Sequence, residues 1–354
     1  MSNRGAIIRL VTSALIIAMF LTYTSIKGLS YTNAKTVIQT ASPILVKDIN
    51  WTINNNYESN ISTDSAPPNN NTVSDDNTTS SIMVSATGTA QGKIIEKFIS
   101  PYTANTSYDN IYLKNNTDLD INLKDFLNGK IGYNITKNSE PQVLILHTHA
   151  TESYLMHNEN YYTEKDTSRN TDNAYNMVAL GKIITDKLNS AGIVTLHDTT
   201  QHDYPSYNQS YSRSAKTINE YIKKYPSIKV VIDLHRDSIA ANDNDKVKTS
   251  VEIDGKKAAQ IMLVMGSQSG SIKNYPDWKE NLCLAVKLQH TIETTYPSLA
   301  RSIHFVSKTY NQNLTTGSML IEIGTDGNTF DEAKYSAELL SNSLITLLDT
   351  LQKG

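Results

Sequence analysis

The sequence predicts an α/β fold built on a mainly parallel, twisted sheet flanked by helices. Short apolar runs such as Val143-Leu144-Ile145-Leu146 and Val230-Val231-Ile232 recur along it. A strand buried on both faces reads as such a continuous run. Stretches with a helical apolar period lie between the runs, the alternation expected of a parallel sheet. Residues able to carry chemistry stand directly at the ends of the runs, where open α/β sheets bind ligands.

Taken from the N-terminus, the first expected element is an anchor. Residues 10–26 are 17 uncharged, mostly apolar positions between Arg9 and Lys27, a helix of roughly 25 Å that spans a bilayer if Ala6 to Ile8 extend it. Arg4 and Arg9 precede it, which predicts a cytoplasmic N-terminus (residues 1–9) and an exported bulk. A cleavable signal peptide is the alternative, although no clear A-x-A site follows. Residues 27–93 are rich in Asn, Ser and Thr, bury too little apolar surface to order themselves and read as a disordered linker. As a flexible coil the linker reaches roughly 40–50 Å. A catalytic domain is expected over residues 94–354.

Within that domain, strands are expected near residues 143–147, 193–197, 229–234, 261–265, 303–306 and 318–323, and helices near 173–191, 211–224, 277–296 and 330–352. The first helix sets Ala174, Met177, Val178, Gly181, Ile184 and Leu188 on one face and ends before Gly192, where a C′ glycine is favoured. The last sets Ala333, Ala337, Leu340, Leu344 and Leu347 on its core side. Residues 247–265 read as a hairpin turning at Asp254-Gly255, a type I′ signal. It either walls one side of a site or is an ordinary sheet-edge hairpin. The single cysteine, Cys283, cannot form an intramolecular disulfide and reads as a small buried side chain. A formal charge of −3 offers no electrostatic case for nucleic acid.

Three strand ends carry the chemistry. The first delivers His147, His149 and Glu152, the second Asp233, His235, Arg236 and Asp237, and the third places Glu322 inside the apolar run Met319-Leu320-Ile321-Glu322-Ile323. Two histidines and a glutamate form a standard zinc set with one position left for water. A carboxylate in an apolar strand needs a partner, and a metal-activated water is one, which makes Glu322 the candidate general base. His147 and His149 are two apart, so on an extended strand both face one side and either could bind, and the other reading of His147 is a buried histidine hydrogen-bonded to a partner that orients the ligands. Glu152 could instead be a helix-start carboxylate or a general acid. Arg236 either pairs with Asp233 or Asp237 or grips a substrate carboxylate. Asp326 and Asn328 read as turn formers, and His197 and His202 are retained as candidate substrate contacts.

The segments HTHATESY, YPSIKVVIDLHRDS and MLIEIGTDGNT, in this order and spacing, closely resemble the stage II sporulation protein P family, cell-wall hydrolases related to zinc N-acetylmuramoyl-L-alanine amidases. The resemblance runs from about Ile94 to the C-terminus. It implies the zinc-amidase (phosphorylase/hydrolase-like) architecture and a Zn²⁺ cofactor. It also places His149 on the ligand position and His147 one step deeper, beside Glu152 and His235. The related amidases hold their glutamate ligand farther from the first histidine than the three residues seen here. The resemblance further implies cleavage of the muramoyl amide of peptidoglycan, and of peptide cross-links, during endospore engulfment. Its implied partners are a sporulation lytic transglycosylase and a membrane scaffold, and its implied place is the mother-cell membrane facing the septal wall. A zinc peptidase acting only on stem peptides, and a non-catalytic wall-binding scaffold, are the competing readings.

Overall fold

The computed structural model describes residues 84–137, 140–242 and 244–352. The expected N-terminal segment, anchor and linker up to residue 83 lie outside these residues. Among the described residues no helix is long and apolar enough to cross a membrane. The first strand, β1 (Ala90–Lys97), begins inside the stretch read as linker.

The main sheet has eight strands in the order β2-β3-β11-β10-β12-β7-β4-β6. These are β2 (Thr106–Tyr108), β3 (Ile111–Asn115), β4 (Val143–Leu146), β6 (Thr195–His197), β7 (Val230–Asp237), β10 (Ile261–Gly266), β11 (Ile303–Val306) and β12 (Ser318–Thr325). Only β2 with β3 and β10 with β12 run antiparallel, so the sheet is mixed and mainly parallel, as expected. β7 lies between β12 and β4, with Glu322 in register with His235 and Asp233 opposite Leu146.

Among the described residues five α-helices flank the sheet: α1 (Leu123–Asn128), α2 (Met177–Ser190), α3 (Ser210–Lys224), α4 (Trp278–Thr295) and α5 (Phe330–Thr350). Strand alternation divides the core in two. Val143, Ile145, Ile232 and Leu234 pack with α2, α4 and α5 in the larger cluster. Leu144, Leu146 and Val231 pack with Ile218 of α3 and with Ile228 in the smaller. α5 opens with a capping box, Thr329 and Glu332 each satisfying a backbone N–H of the other. Cys283 is buried in α4, its Sγ 3.1 Å from the Phe126 carbonyl.

A second sheet has the order β5-β1-β8-β9, with β5 (Tyr161–Thr163), β8 (Lys246–Ile253) and β9 (Lys256–Ala259). The expected hairpin is β8–β9, and both Asp254 and Gly255 have positive φ, as type I′ requires. Its second arm does not continue to residue 265. At Gln260, fully buried, the chain changes sheets: the side-chain amide bonds both backbone groups of Ile99 and the Ser298 carbonyl, and β10 then joins the main sheet. The hairpin is tied to the loop after β12, where Thr325 Oγ1 donates to the Val247 carbonyl and Asn328 Nδ2 to the Thr249 carbonyl. Asn328 thus stitches the two sheets together, beyond forming a turn.

Candidate metal centre

His149, Glu152 and His235 each offer one ligand atom, and these atoms lie within 4.8 Å of one another; all three side chains are buried. β4 ends at Leu146, and residues 148–151 form a turn that swings His149 over the end of β7. That turn is held by Asp233, which accepts from Thr148 N at 2.7 Å and from Thr148 Oγ1 at 2.6 Å. The carboxylate also faces His235 Nε2 at 2.9 Å. One aspartate therefore positions both histidine-bearing segments.

Within the group, His149 Nδ1 is 3.4 Å from Glu152 Oε1 and His235 Nδ1 is 3.6 Å from Glu152 Oε2. The far nitrogens are also engaged: His149 Nε2 is 3.1 Å from Ser210 Oγ at the start of α3, and His235 Nε2 meets Asp233. Such outer partners orient imidazole ligands and set their tautomer. Burial disfavours a charged Glu152, yet His149 and His235 hold its carboxyl well below the usual range. Burial likewise opposes protonation of His235, and the Asp233 and Glu152 carboxylates overcome it, holding the pKa well above that of an ordinary histidine. A cation is wanted between these groups. The donor set and its outer partners fit zinc.

Glu322 stands beside His235 on the neighbouring strand. Its Oε2 is buried with no hydrogen-bond partner among the described residues. Burial first, then Asp237 and Glu152, push its pKa up to about 8, against the pull of His235 and Arg301. Tyr207 packs 4.6 Å from the His149 ring, and Tyr211 lies parallel to His235 at 6.5 Å.

Two expectations are corrected. His147 does not share a face with His149, because strand geometry stops at Leu146. It points toward α2, with Nδ1 donating to the Leu234 carbonyl at 3.1 Å and Nε2 2.8 Å from His197 Nε2. A carbonyl only accepts, so His147 Nε2 accepts from His197 in turn. No nitrogen of His147 is left for a metal. Its contact with Leu234 nevertheless steadies the backbone next to His235.

Arg236 is not available to a substrate. Its Nε donates to the Ser153 carbonyl at 2.7 Å, Nη1 to the Asp237 carbonyl at 3.1 Å and Nη2 to the Ser168 carbonyl at 2.5 Å. His202 is also internal, bonding the His147 carbonyl and Thr217 Oγ1. Sequence reasoning missed Ser210, Arg169, Asp203 and Tyr207 around the group. Tyr207 and Ser210 both lie in the tract over residues 207–214, which also resembles the family, but nothing local marked Arg169 or Asp203.

Fold and site together define a mixed α/β protein with a buried His-Glu-His group able to hold a metal ion and an adjacent carboxylate of raised pKa. A family model for Stage II sporulation protein P (SpoIIP) matches residues 32–345, and the chain belongs to that family. It is 29% identical over 215 residues to Stage II sporulation protein P of Bacillus subtilis (strain 168), covering 57% of this chain and 50% of that protein. The chain thus spans about half the length of the curated relative it matches. Among solved structures it is similar to an N-acetylmuramoyl-L-alanine amidase from Clostridium difficile 630. That likeness has 17% identity, a TM-score of 0.34, and coverage of 60% of this chain and 97% of that one. The CwlD amidase from Clostridioides difficile, solved in complex with the GerS lipoprotein, shows 14% identity, a TM-score of 0.37 and coverage of 59% and 98%.

Proposed function

We propose that the chain is a zinc-dependent peptidoglycan hydrolase that cleaves the N-acetylmuramoyl-L-alanine amide during endospore engulfment, with zinc-amidase layers and tethered to the membrane through residues 10–26. The observation that carries this reading is the buried His149, Glu152 and His235 group with Glu322 beside it on β12. Family membership supplies the setting. A lytic transglycosylase and a membrane scaffold belong to the same proposal as partners.

Bound in this group, zinc would polarise the scissile carbonyl and acidify a water molecule. The chain's own residues do the rest. Ser210 and Asp233 fix the far nitrogens of the two histidines, so Glu152 and the facing nitrogens converge on one point. Glu322, whose Oε2 is buried with no hydrogen-bond partner among the described residues, takes the proton and hands it to the leaving amine. Burial raises the pKa of Glu322, which eases its holding a proton between the two halves of the transfer. Tyr207, 44% exposed, gives the rim an aromatic face for a sugar or peptide.

Digestion of purified sacculi by the protein, followed by mass spectrometry of the products, tests the reading. Free lactyl ends on the glycan with intact stem peptides are expected. Shortened or uncrosslinked peptides without lactyl ends would overturn the amidase assignment in favour of a peptidase.

A further inference from the structure

Arg169 stands beside Glu152 of the metal-ligand group, and its guanidinium is held by one edge only. Nη1 donates to Asp203 Oδ2 at 2.5 Å and to Thr151 Oγ1 at 3.1 Å. Asp203 has a fully buried side chain that also accepts from Thr151 Oγ1 at 2.6 Å. The backbone of Arg169 bridges that of Glu152, and its Cζ sits 4.8 Å over the Tyr207 ring. Aspartate, threonine and tyrosine thus fix the plane of the fork. The other edge is open: Nη2 lies 3.9 Å from Glu152 Oε1, Nε and Nη2 donate no hydrogen bond among the described residues, and the side chain is 38% exposed.

The other arginines near the group differ. Arg236 is engaged on three backbone carbonyls, and Arg301 Nη1 is paired with Asp237 at 2.8 Å. A fixed guanidinium with a free pair of N–H groups matches a carboxylate in a bidentate fork. The carboxylate of Glu152 does not fill that role, because His149 and His235 already share it.

We propose that Arg169 is the specificity-determining residue of this site and that its free edge binds a stem-peptide carboxylate close to the scissile amide, with Tyr207 beneath the guanidinium and flanking the bound peptide. This rests on the peptidoglycan reading above. The peptide stem carries carboxylates within a few bonds of the muramoyl amide, and Nη2 stands one ligand away from the point where His149, Glu152 and His235 converge. Recognition there aligns the amide carbonyl with Glu322.

The test is calorimetric binding of soluble muramoyl peptides to the zinc-loaded full-length chain carrying Glu322→Gln, which slows turnover about 10²–10⁴-fold. One peptide has its carboxylate nearest the muramoyl amide free, and the other has it amidated. The free acid should bind about 10- to 100-fold more tightly, the range for a charge-assisted pair of hydrogen bonds. Adding Arg169→Gln should erase that preference while leaving the amidated peptide's affinity and the zinc content unchanged. Arg169→Lys should restore part of it. An unchanged preference in Arg169→Gln overturns the proposal, as does an equal loss for both peptides with a lowered melting temperature, the signature of a purely structural arginine. Binding is read without cleavage. A chain that keeps the preference but cuts a different bond in the sacculus assay therefore fails the amidase reading and upholds this one.

Discussion

Replacing Gly181 with alanine should destabilise the protein, against the sign that helix propensity alone dictates. Gly181 is a buried position inside α2, and an exposed glycine in mid-helix is about 1 kcal/mol worse than alanine. Here a Cβ would sit 2.5 Å from His197 Nε2, 2.6 Å from His147 Nε2 and 2.7 Å from His147 Cε1. Neither ring can retreat cheaply. His147 is fully buried and tied to the Leu234 carbonyl, and the two imidazoles are bonded to each other at 2.8 Å. Overpacking a rigid site costs about 1–3 kcal/mol, and parting a buried hydrogen-bonded pair adds about 1–3 kcal/mol. Offset by the propensity gain, the net loss is about 1–5 kcal/mol. For a folded part of this size that lowers Tm by roughly 2–20 °C. Thermal and urea melts of the purified protein measure it. A Tm equal to or above that of the parent would refute the reasoning, and would mean that the histidine pair yields to α2 rather than shaping it.

Three further outcomes are expected. Arg236→Ala should lower stability by about 1–3 kcal/mol by removing the donor to the buried Ser153 carbonyl, the Ser168 and Asp237 carbonyls keeping backbone donors in Ser153 and Asp326; an unchanged melt with a raised KM would return Arg236 to substrate binding. Ser210→Ala should weaken zinc binding about 10- to 100-fold by freeing His149 Nε2, read by chelator competition, and unaltered affinity would contradict the role given to Ser210. The zinc-free protein should lose stability as pH falls from about 6.5 to about 4.5, by up to about 1.4 kcal/mol per pH unit for each of His147 and His197. Burial depresses these two from 6.5 to about 3 and about 4. Depressed folded-state values mean that the stability they confer is complete above 6.5 and is lost as pH falls toward them. His235, raised, contributes fully below 6.5, and Glu152, depressed from 4.5, declines only below that value, but Glu322, raised from 4.5 to about 8, gains stability as pH falls through the window and offsets one of the two histidines, leaving a net loss of up to about 1.4 kcal/mol per pH unit. A urea midpoint that stays level across it would contradict this account.

The central strands and the long helices were legible in the sequence because burial on both faces writes itself as an unbroken apolar run and an amphipathic helix repeats its apolar face. Asp254-Gly255 announced its turn for an equally local reason: few dipeptides tolerate two positive φ values. The small sheet was not legible. β1 is the polar segment AQGKIIEK, and its partners β5 and β8 lie far along the chain. The site divides along the same line. His149, Glu152, His235 and Glu322 stand at or near apolar runs and could be named. The face of His147 depended on where β4 stops, which a two-residue period does not reveal. The choice between the two readings of Arg236, and the presence of Arg169, were hidden because their partners, the Ser153 and Ser168 carbonyls for one and Asp203 and Tyr207 for the other, are brought close only by the fold.

Zinc content measured by atomic absorption in parent, Glu152→Gln and Glu322→Gln proteins, alongside sacculus digestion, tests the division of labour at the site most directly. One zinc per chain is expected in the parent. Glu322→Gln should keep it while activity falls about 10²–10⁴-fold, the range for losing a general base. Glu152→Gln should lose it, since a neutral amide is a poorer ligand than a carboxylate. Retention of zinc by Glu152→Gln together with its loss from Glu322→Gln would exchange the two roles, and a parent protein that binds no zinc while still cutting the wall would contradict the account at its root.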